Sequence, residues 1–158
     1  MDEHVVRQAV EADVPALTVL INKAFEVERF FKRGDRTSDD DLKGLLARGA
    51  ILFVEDADRR AMASVYVEAR GDRVYIGMVA VDPTHQGQGL GRRLMEAAEA
   101  HGRARGCRAA DITVVNLRTE LPPFYRRLGY VAAGTAEFPD VDDITQDCHL
   151  ILMSKPLE

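Results

Sequence analysis

The residues best suited to chemistry fall in two short runs. The first is Gln86-Gly87-Gln88-Gly89-Leu90-Gly91, which follows the apolar segment Val74 to Val81 and the turn Asp82-Pro83, and leads straight into a helical pattern. A glycine-rich turn between a strand and a helix aims several backbone N–H groups at one spot, with the positive end of the helix dipole behind them. That arrangement suits a phosphate or pyrophosphate. Glycine at 87, 89 and 91 keeps side chains out of the path of a ligand oxygen and accepts a left-handed backbone. The second run is Phe124-Tyr125-Arg126-Arg127-Leu128-Gly129-Tyr130, in which Tyr125 offers a hydroxyl that is protonated at neutral pH.

Two common phosphate loops fit the first run poorly. A P-loop ends in Gly-Lys-Ser or Gly-Lys-Thr, whereas Gly91 is followed by Arg92-Arg93. A dinucleotide fingerprint requires an acid about 20 residues beyond the glycines, and Asp111 stands near that distance. The segments before the turn, however, read as strand after strand, unlike a doubly wound sheet.

Val79-Ala80-Val81-Asp82-Pro83 followed by Gln86-x-x-Gly89-x-Gly91 resembles the acetyl-CoA-binding motif of the GCN5-related N-acetyltransferases (GNAT). Phe124-Tyr125 through Leu128-Gly129-Tyr130 resembles a later helix of that family, which carries a tyrosine and ends in Leu-Gly-Phe or Leu-Gly-Tyr. The resemblance implies an acetyl-CoA-dependent N-acetyltransferase working by direct transfer to an amine, with no metal. It implies that Val79, Ala80 and Val81 bond the pantetheine arm, and that the Val79 N–H polarises the thioester carbonyl. Gln86, Gly87, Gln88, Gly89, Leu90 and Gly91 would hold the pyrophosphate, with Arg92 adding charge, and Tyr125 would be the general acid. The family often carries an asparagine seven residues before the tyrosine; Arg118 stands there, and Asn116, nine residues before, would reach the cofactor only through a longer loop. Glu68, Tyr75, Glu120 and His149 are chemically able to serve as the base. A non-catalytic acyl-CoA-binding module on the same fold and a dinucleotide-binding domain remain as alternatives. Acceptor-dependent CoA release separates the first of these from an enzyme, and NAD binding identifies the second.

The elements that must position these groups can be read from periodicity. Val5 to Val10 is a strand, and Asp13 caps a helix whose stripe is Leu17, Leu20, Ile21, Ala24 and Phe25. Phe30 and Phe31 are adjacent, so one of them is expected to line a cleft or cover it, and the resemblance places the acceptor site at this segment, with Arg36 as a further contact. Ser38 opens a second helix over three aspartates and Gly49 ends it. Ile51 to Glu55, Ala61 to Ala69 and Arg73 to Val81 form an antiparallel meander. Leu90, Leu94, Ala97, Ala98 and His101 share a face of the next helix, and Ala109 to Val115 is a strand. Pro122 or Pro123 begins a short helix, and Tyr130 to Ala136 and Thr145 to Met153 are the last strands, joined by an acidic loop, Asp140 to Asp143, expected to be solvated. The order β-α-α-β-β-β-α-β-α-β-β predicts a mixed α/β fold: a mostly antiparallel sheet of about seven strands flanked by about four helices, matching the family.

At 158 residues the chain is expected to form one domain over 1–158. A net charge of −5 argues against nucleic acid as a partner. No apolar run has the length of a membrane span, and the polar start Met1-Asp2-Glu3-His4 is unlike a secretory leader. Cys107 and Cys148 form neither a disulfide framework nor a metal-ligand spacing. The expectation is a cytoplasmic enzyme acting on a small-molecule or peptide amine, without membrane partners, and with a homodimer as an assembly open to it.

Overall fold

In the computed structural model, which describes residues 5–158, seven strands form one sheet in the order β1-β2-β3-β4-β5-β7-β6. The strands are β1 (Val6–Gln8), β2 (Ala50–Glu55), β3 (Ala61–Arg70), β4 (Arg73–Val81), β5 (Ala109–Val115), β6 (Val131–Glu137) and β7 (His149–Pro156). The helices are α1 (Val14–Ala24), α2 (Asp39–Arg48), α3 (Leu90–Ala104) and α4 (Leu121–Arg127). The mixed α/β layout and the element order agree with the expectation. The reading of Met1 to His4 lies outside the described residues.

Alternation divides the core between the two faces of the sheet. Val65, Val67, Val74 and Ile76 pack against Leu90, Leu94 and Ala98 of α3. Ile51, Phe53, Tyr66 and Ala80 pack against Leu17, Leu20, Ile21 and Leu42 of α1 and α2. With a helical layer on either side, Ala50 to Val54 of β2 are all buried. Helix α3 sits close to β4 because Gly102 has no side chain; a Cβ there would lie 2.7 Å from Val74 Cγ1.

Three local expectations change. Asp13 occupies the N-cap position of α1, but its side chain makes no capping hydrogen bond to that helix. Its carboxylate accepts the Val10 N–H at 2.8 Å and pairs with Arg7 at 2.9 Å, holding the chain's entry into the helix instead. Strand β7 starts at His149 rather than Thr145, because the preceding backbone is tied to another segment. Thr145 N–H donates to the Phe31 carbonyl at 2.7 Å, and Arg33 N–H donates to that of Asp143 at 2.8 Å. The acidic loop is likewise not simply solvated, since Asp140 pairs with Lys32 at 3.5 Å.

All neighbouring strands are antiparallel except β4 and β5, and that parallel pair is short. Arg73–Tyr75 of β4 matches Ala109–Asp111 of β5, and no further. Beyond it β5 stays paired with β7 as far as Val115, so β4 and β5 part within the sheet. Strand β4 also bulges: Tyr66 pairs with Gly77 and Ser64 with Ala80, leaving Met78 and Val79 opposite the single residue Val65. Met78 takes φ of 48°, a left-handed conformation that costs a non-glycine residue roughly 1–3 kcal/mol. Such strain persists where the surrounding structure fixes it, and here it falls where the strand edge is left without a partner.

Candidate active site

The parting of β4 and β5 opens a cleft of about 840 Å³ through the sheet, from the glycine turn on the α3 side to the face covered by α1 and α2. On the α3 side, Asp82 fixes the start of the turn by accepting the Thr84 N–H at 2.9 Å and pairing with Lys23 of α1 at 3.3 Å. Gly87 and Gly89 then take φ of 83° and 76°. A Cβ at either would meet no protein atom within 4 Å, so what the glycines keep clear is open space in the cleft wall. Gly89 is the N-cap of α3, and the first helical hydrogen bond runs from the Arg93 N–H to its carbonyl. The N–H groups of Leu90, Gly91 and Arg92 therefore have no partner within the helix and carry the positive end of its dipole. This cradle fits a pyrophosphate.

The site residues expected from sequence divide into those the cleft gathers and those it does not. Val79, Val81, Gln86, Gly87, Gly89, Leu90, Gly91, Arg92, Tyr125 and Arg36 all line it. Ala80 sits on the same strand edge, but its side chain is buried in the α1/α2 core. Gln88 does not line the cleft. Asn116 is taken up by the end of β5, where its Oδ1 accepts the His149 N–H at 2.8 Å. Phe31 is wholly buried, edge-on to Phe30 and Phe138, whereas Phe30 is half exposed, and neither reaches the cleft. Of the candidate bases, Glu68 and Tyr75 line the cleft, and Glu120 and His149 do not.

Tyr125 enters from α4, with its ring edge-on between Phe124 and Tyr130 at 5.0 and 6.0 Å. Its hydroxyl makes no hydrogen bond among the described residues. Burial pushes its pKa up to about 12, with the nearby Arg118 charge acting in the opposite direction. At neutral pH Tyr125 is thus a donor, and a weaker acid than an ordinary thiol near 8.5.

Sequence reasoning missed a pair of opposite charges at the centre of the cleft. Arg118 donates to Glu28 at 2.8 Å and to Glu120 at 3.0 Å, with the Arg118 and Glu28 side chains only 14% and 12% exposed. This pair joins the loop before α4 to the 3-10 segment Phe25–Phe30 across 90 residues of sequence. Nothing in either local pattern marks the pairing; only the unusual arginine seven residues before Tyr125 hinted at it. On the α1/α2 side, Glu68 accepts from Arg70 at 2.6 Å and, very closely, from the Tyr66 hydroxyl. Arg70 and then Tyr66 hold the Glu68 carboxyl below the ordinary range.

Asp111, the acid a dinucleotide site would need, is spent elsewhere. It accepts from Arg73 Nε and Nη2 at 2.7 and 2.6 Å and from the Ser154 hydroxyl at 2.6 Å, bracing β4, β5 and β7 just before the strands part. Among the described residues, no group of three or more His, Cys, Asp or Glu is placed to hold a metal, and no helix is long and apolar enough to cross a membrane.

Comparison with known proteins agrees with this geometry. The model of the acetyltransferase (GNAT) family matches residues 15–130. The streptothricin acetyltransferase of Streptomyces lavendulae is 30% identical over 123 residues, 78% of this chain and 62% of that protein. The chain spans about three fifths or less of the length of the curated relatives it matches. Among solved structures, the ribosomal-protein-S18-alanine N-acetyltransferase of Escherichia coli superposes with a TM-score of 0.80 at 19% identity, covering 99% of this chain and 95% of that one. The Salmonella typhimurium protein yncA, solved with its cofactor acetyl-CoA, gives 0.78 at 20% identity over 99% and 95%. A sheet that parts beside a glycine-turned helix N-terminus, with the family's pattern running through both, leads to one assignment: this chain belongs to the acetyltransferase (GNAT) family.

Proposed function

We propose that the chain is an acetyl-CoA-dependent N-acetyltransferase that moves the acetyl group directly from the thioester to the amine of a small molecule or peptide. The observation that carries this reading is the bulged, unpartnered edge of β4 at Met78–Val79, facing a cleft that joins the phosphate cradle to Tyr125. A strand edge without a neighbour presents N–H and C=O groups that an extended amide-bearing arm can match as another strand would. Val79 to Val81 are suited to that role, with the pyrophosphate on the N–H groups around Gly87 to Arg92.

The acetyl thioester supplies an activated carbonyl, and the chain's groups serve the charge that develops on it. The Val79 N–H, turned by the bulge, donates to the carbonyl oxygen as it becomes an oxyanion. The Tyr125 hydroxyl donates to the sulfur as the C–S bond breaks. Because Tyr125 is a weaker acid than the thiol, its contribution is a hydrogen bond to the thiolate rather than a completed proton transfer. The neutral amine enters from the α1/α2 face; its nitrogen forms the C–N bond to give the tetrahedral oxyanion, which collapses with loss of the C–S bond, the proton shed by the nitrogen passing to water while the CoA thiolate takes a proton from solvent on release.

The test is release of free thiol from acetyl-CoA in the presence of a panel of amines, amino acids, amino sugars, polyamines and peptide N-termini. Amine-dependent release with matching acetylated product supports the reading. Tight acetyl-CoA binding with no release for any acceptor would leave an acyl-CoA-binding module in its place.

A further inference from the structure

The charges on the α1/α2 side of the cleft do not balance. Three carboxylates line it, and each already has a cation: Glu28 with Arg118 at 2.8 Å, Asp140 with Lys32 at 3.5 Å, and Glu68 with Arg70 at 2.6 Å. Arg48 also lines it and reaches Glu68 at 3.8 Å, as a second cation on a carboxylate already bonded to Arg70. Arg36 lines it with no carboxylate or hydrogen-bond partner among the described residues. A chain of net charge −5 thus turns an excess of positive charge toward its acceptor.

Arg36 is also held in place. Its guanidinium carbon lies 5.2 Å from the centre of the Phe25 ring, a cation–π contact that uses none of its N–H groups. The next residue is clamped from both sides: Asn22 of α1 accepts the Thr37 N–H at 2.9 Å and donates to the Thr37 carbonyl at 3.1 Å. Thr37 is buried, and Ser38 at once caps α2 by accepting the Asp41 N–H at 3.1 Å. An arginine fixed between a clamp and a cap, set over a ring and facing a cleft, is pre-organised to receive a planar or tetrahedral oxyanion in bidentate fashion.

We propose that the acceptor is an amine that also carries an oxyanion, a carboxylate or a phosphate monoester, and that Arg36 binds this group and selects for it. The proposal rests on the acetyltransferase reading and narrows its substrate class. It disfavours polyamines and other polycations, because every lining carboxylate is already engaged and the surplus charge repels them.

Calorimetry on the protein saturated with CoA tests it with matched probes: glucosamine 6-phosphate against glucosamine, L-methionine against L-methioninamide, and spermidine as polycation. At least one anionic probe is expected to bind roughly ten- to a hundred-fold more tightly than its mate, the range of a charge-assisted hydrogen bond. The pair that shows the preference distinguishes phosphate from carboxylate. Arg36→Gln, with melting temperature as the control for folding, should abolish that preference while leaving the affinity of the mate that lacks the oxyanion in place. Arg36→Lys should restore part of it. A lack of preference in both pairs, its survival in Arg36→Gln, or tighter binding of spermidine than of either anionic probe would overturn the proposal. Failure of acetyl-CoA itself to bind, read in a separate titration before any acceptor is added, would instead overturn the acetyltransferase reading, and this proposal with it.

Discussion

At the scale of single residues, Tyr125 and Gly89 separate donation from cradling. Tyr125→Phe keeps the ring contacts with Phe124 and Tyr130 and removes only the hydroxyl. The expected result is a kcat lower by roughly ten- to a hundred-fold with acetyl-CoA affinity intact, since a hydrogen bond to a charged group contributes about 1.5–3 kcal/mol. Single-turnover kinetics with a competent amine would check it, and a wild-type chemical rate would remove Tyr125 from the mechanism. Gly89→Val behaves differently. No protein atom lies within 4 Å of the new Cβ, so the effects expected are those of the left-handed backbone and of intrusion into ligand space. Acetyl-CoA affinity should fall by roughly several-fold to several hundred-fold, as N–H contacts worth about 1 kcal/mol each are lost. Unchanged affinity in a folded Gly89→Val protein would reduce the turn to a packing device. Both residues were legible in the sequence, because glycine spacing and an aromatic beside Leu-Gly-Tyr are local signals. The Glu28–Arg118 pair was not, since partners 90 residues apart leave no trace in local spacing.

At the scale of elements, the opening of the cleft depends on where β4 and β5 stop pairing, and Asp111 braces that point. Arg73 first, and the Ser154 hydrogen bond next, hold its carboxyl below the ordinary 3.8. A depressed folded value contributes stability that is present above about 3.8 and lost as the pH falls through the lower folded value. Asp111→Asn should therefore lower the melting temperature near neutrality, and the gap from wild type should close in strongly acid solution. Its size should be no more than about 1 kcal/mol, because Arg73 is half exposed and water screens the pair. A gap independent of pH would mean that packing, not charge, accounts for the loss. The same scale shows where periodicity succeeded. Strands β2 to β5 and helices α1 to α4 alternate or repeat clearly enough to be read to within a few residues. The pattern places the start of β7 at Thr145, yet the backbone of Ile144 and Thr145 is engaged by Lys32 and Phe31. Glu99 escaped notice because a glutamate on an amphipathic helix reads as solvated. It is instead buried beneath α3, accepting from the Tyr130 hydroxyl at 2.8 Å and Lys155 at 2.9 Å.

At the scale of the whole molecule, the centre of the sheet is covered on both faces and parted between β4 and β5, so a ligand can touch both halves of the core at once. The α3 face offers unpaired N–H groups for anions, the parted strands offer a backbone edge, and the α1/α2 face offers a charged recess for the acceptor. The order of the elements along the chain, and the antiparallel meander of β2 to β4, followed from the pattern of apolar residues. The parting was not legible in that pattern, since no periodicity reveals where two strands lose contact. The central claim is that this parting holds acetyl-CoA in a defined direction, and a crystal structure of the complex tests it most directly. The predicted result places the pyrophosphate on the N–H groups of residues 87–92, the pantetheine amides along Val79 to Val81, and the thioester sulfur within hydrogen-bond reach of the Tyr125 hydroxyl. An arm bound outside the β4–β5 opening, or a thioester remote from Tyr125, would contradict it.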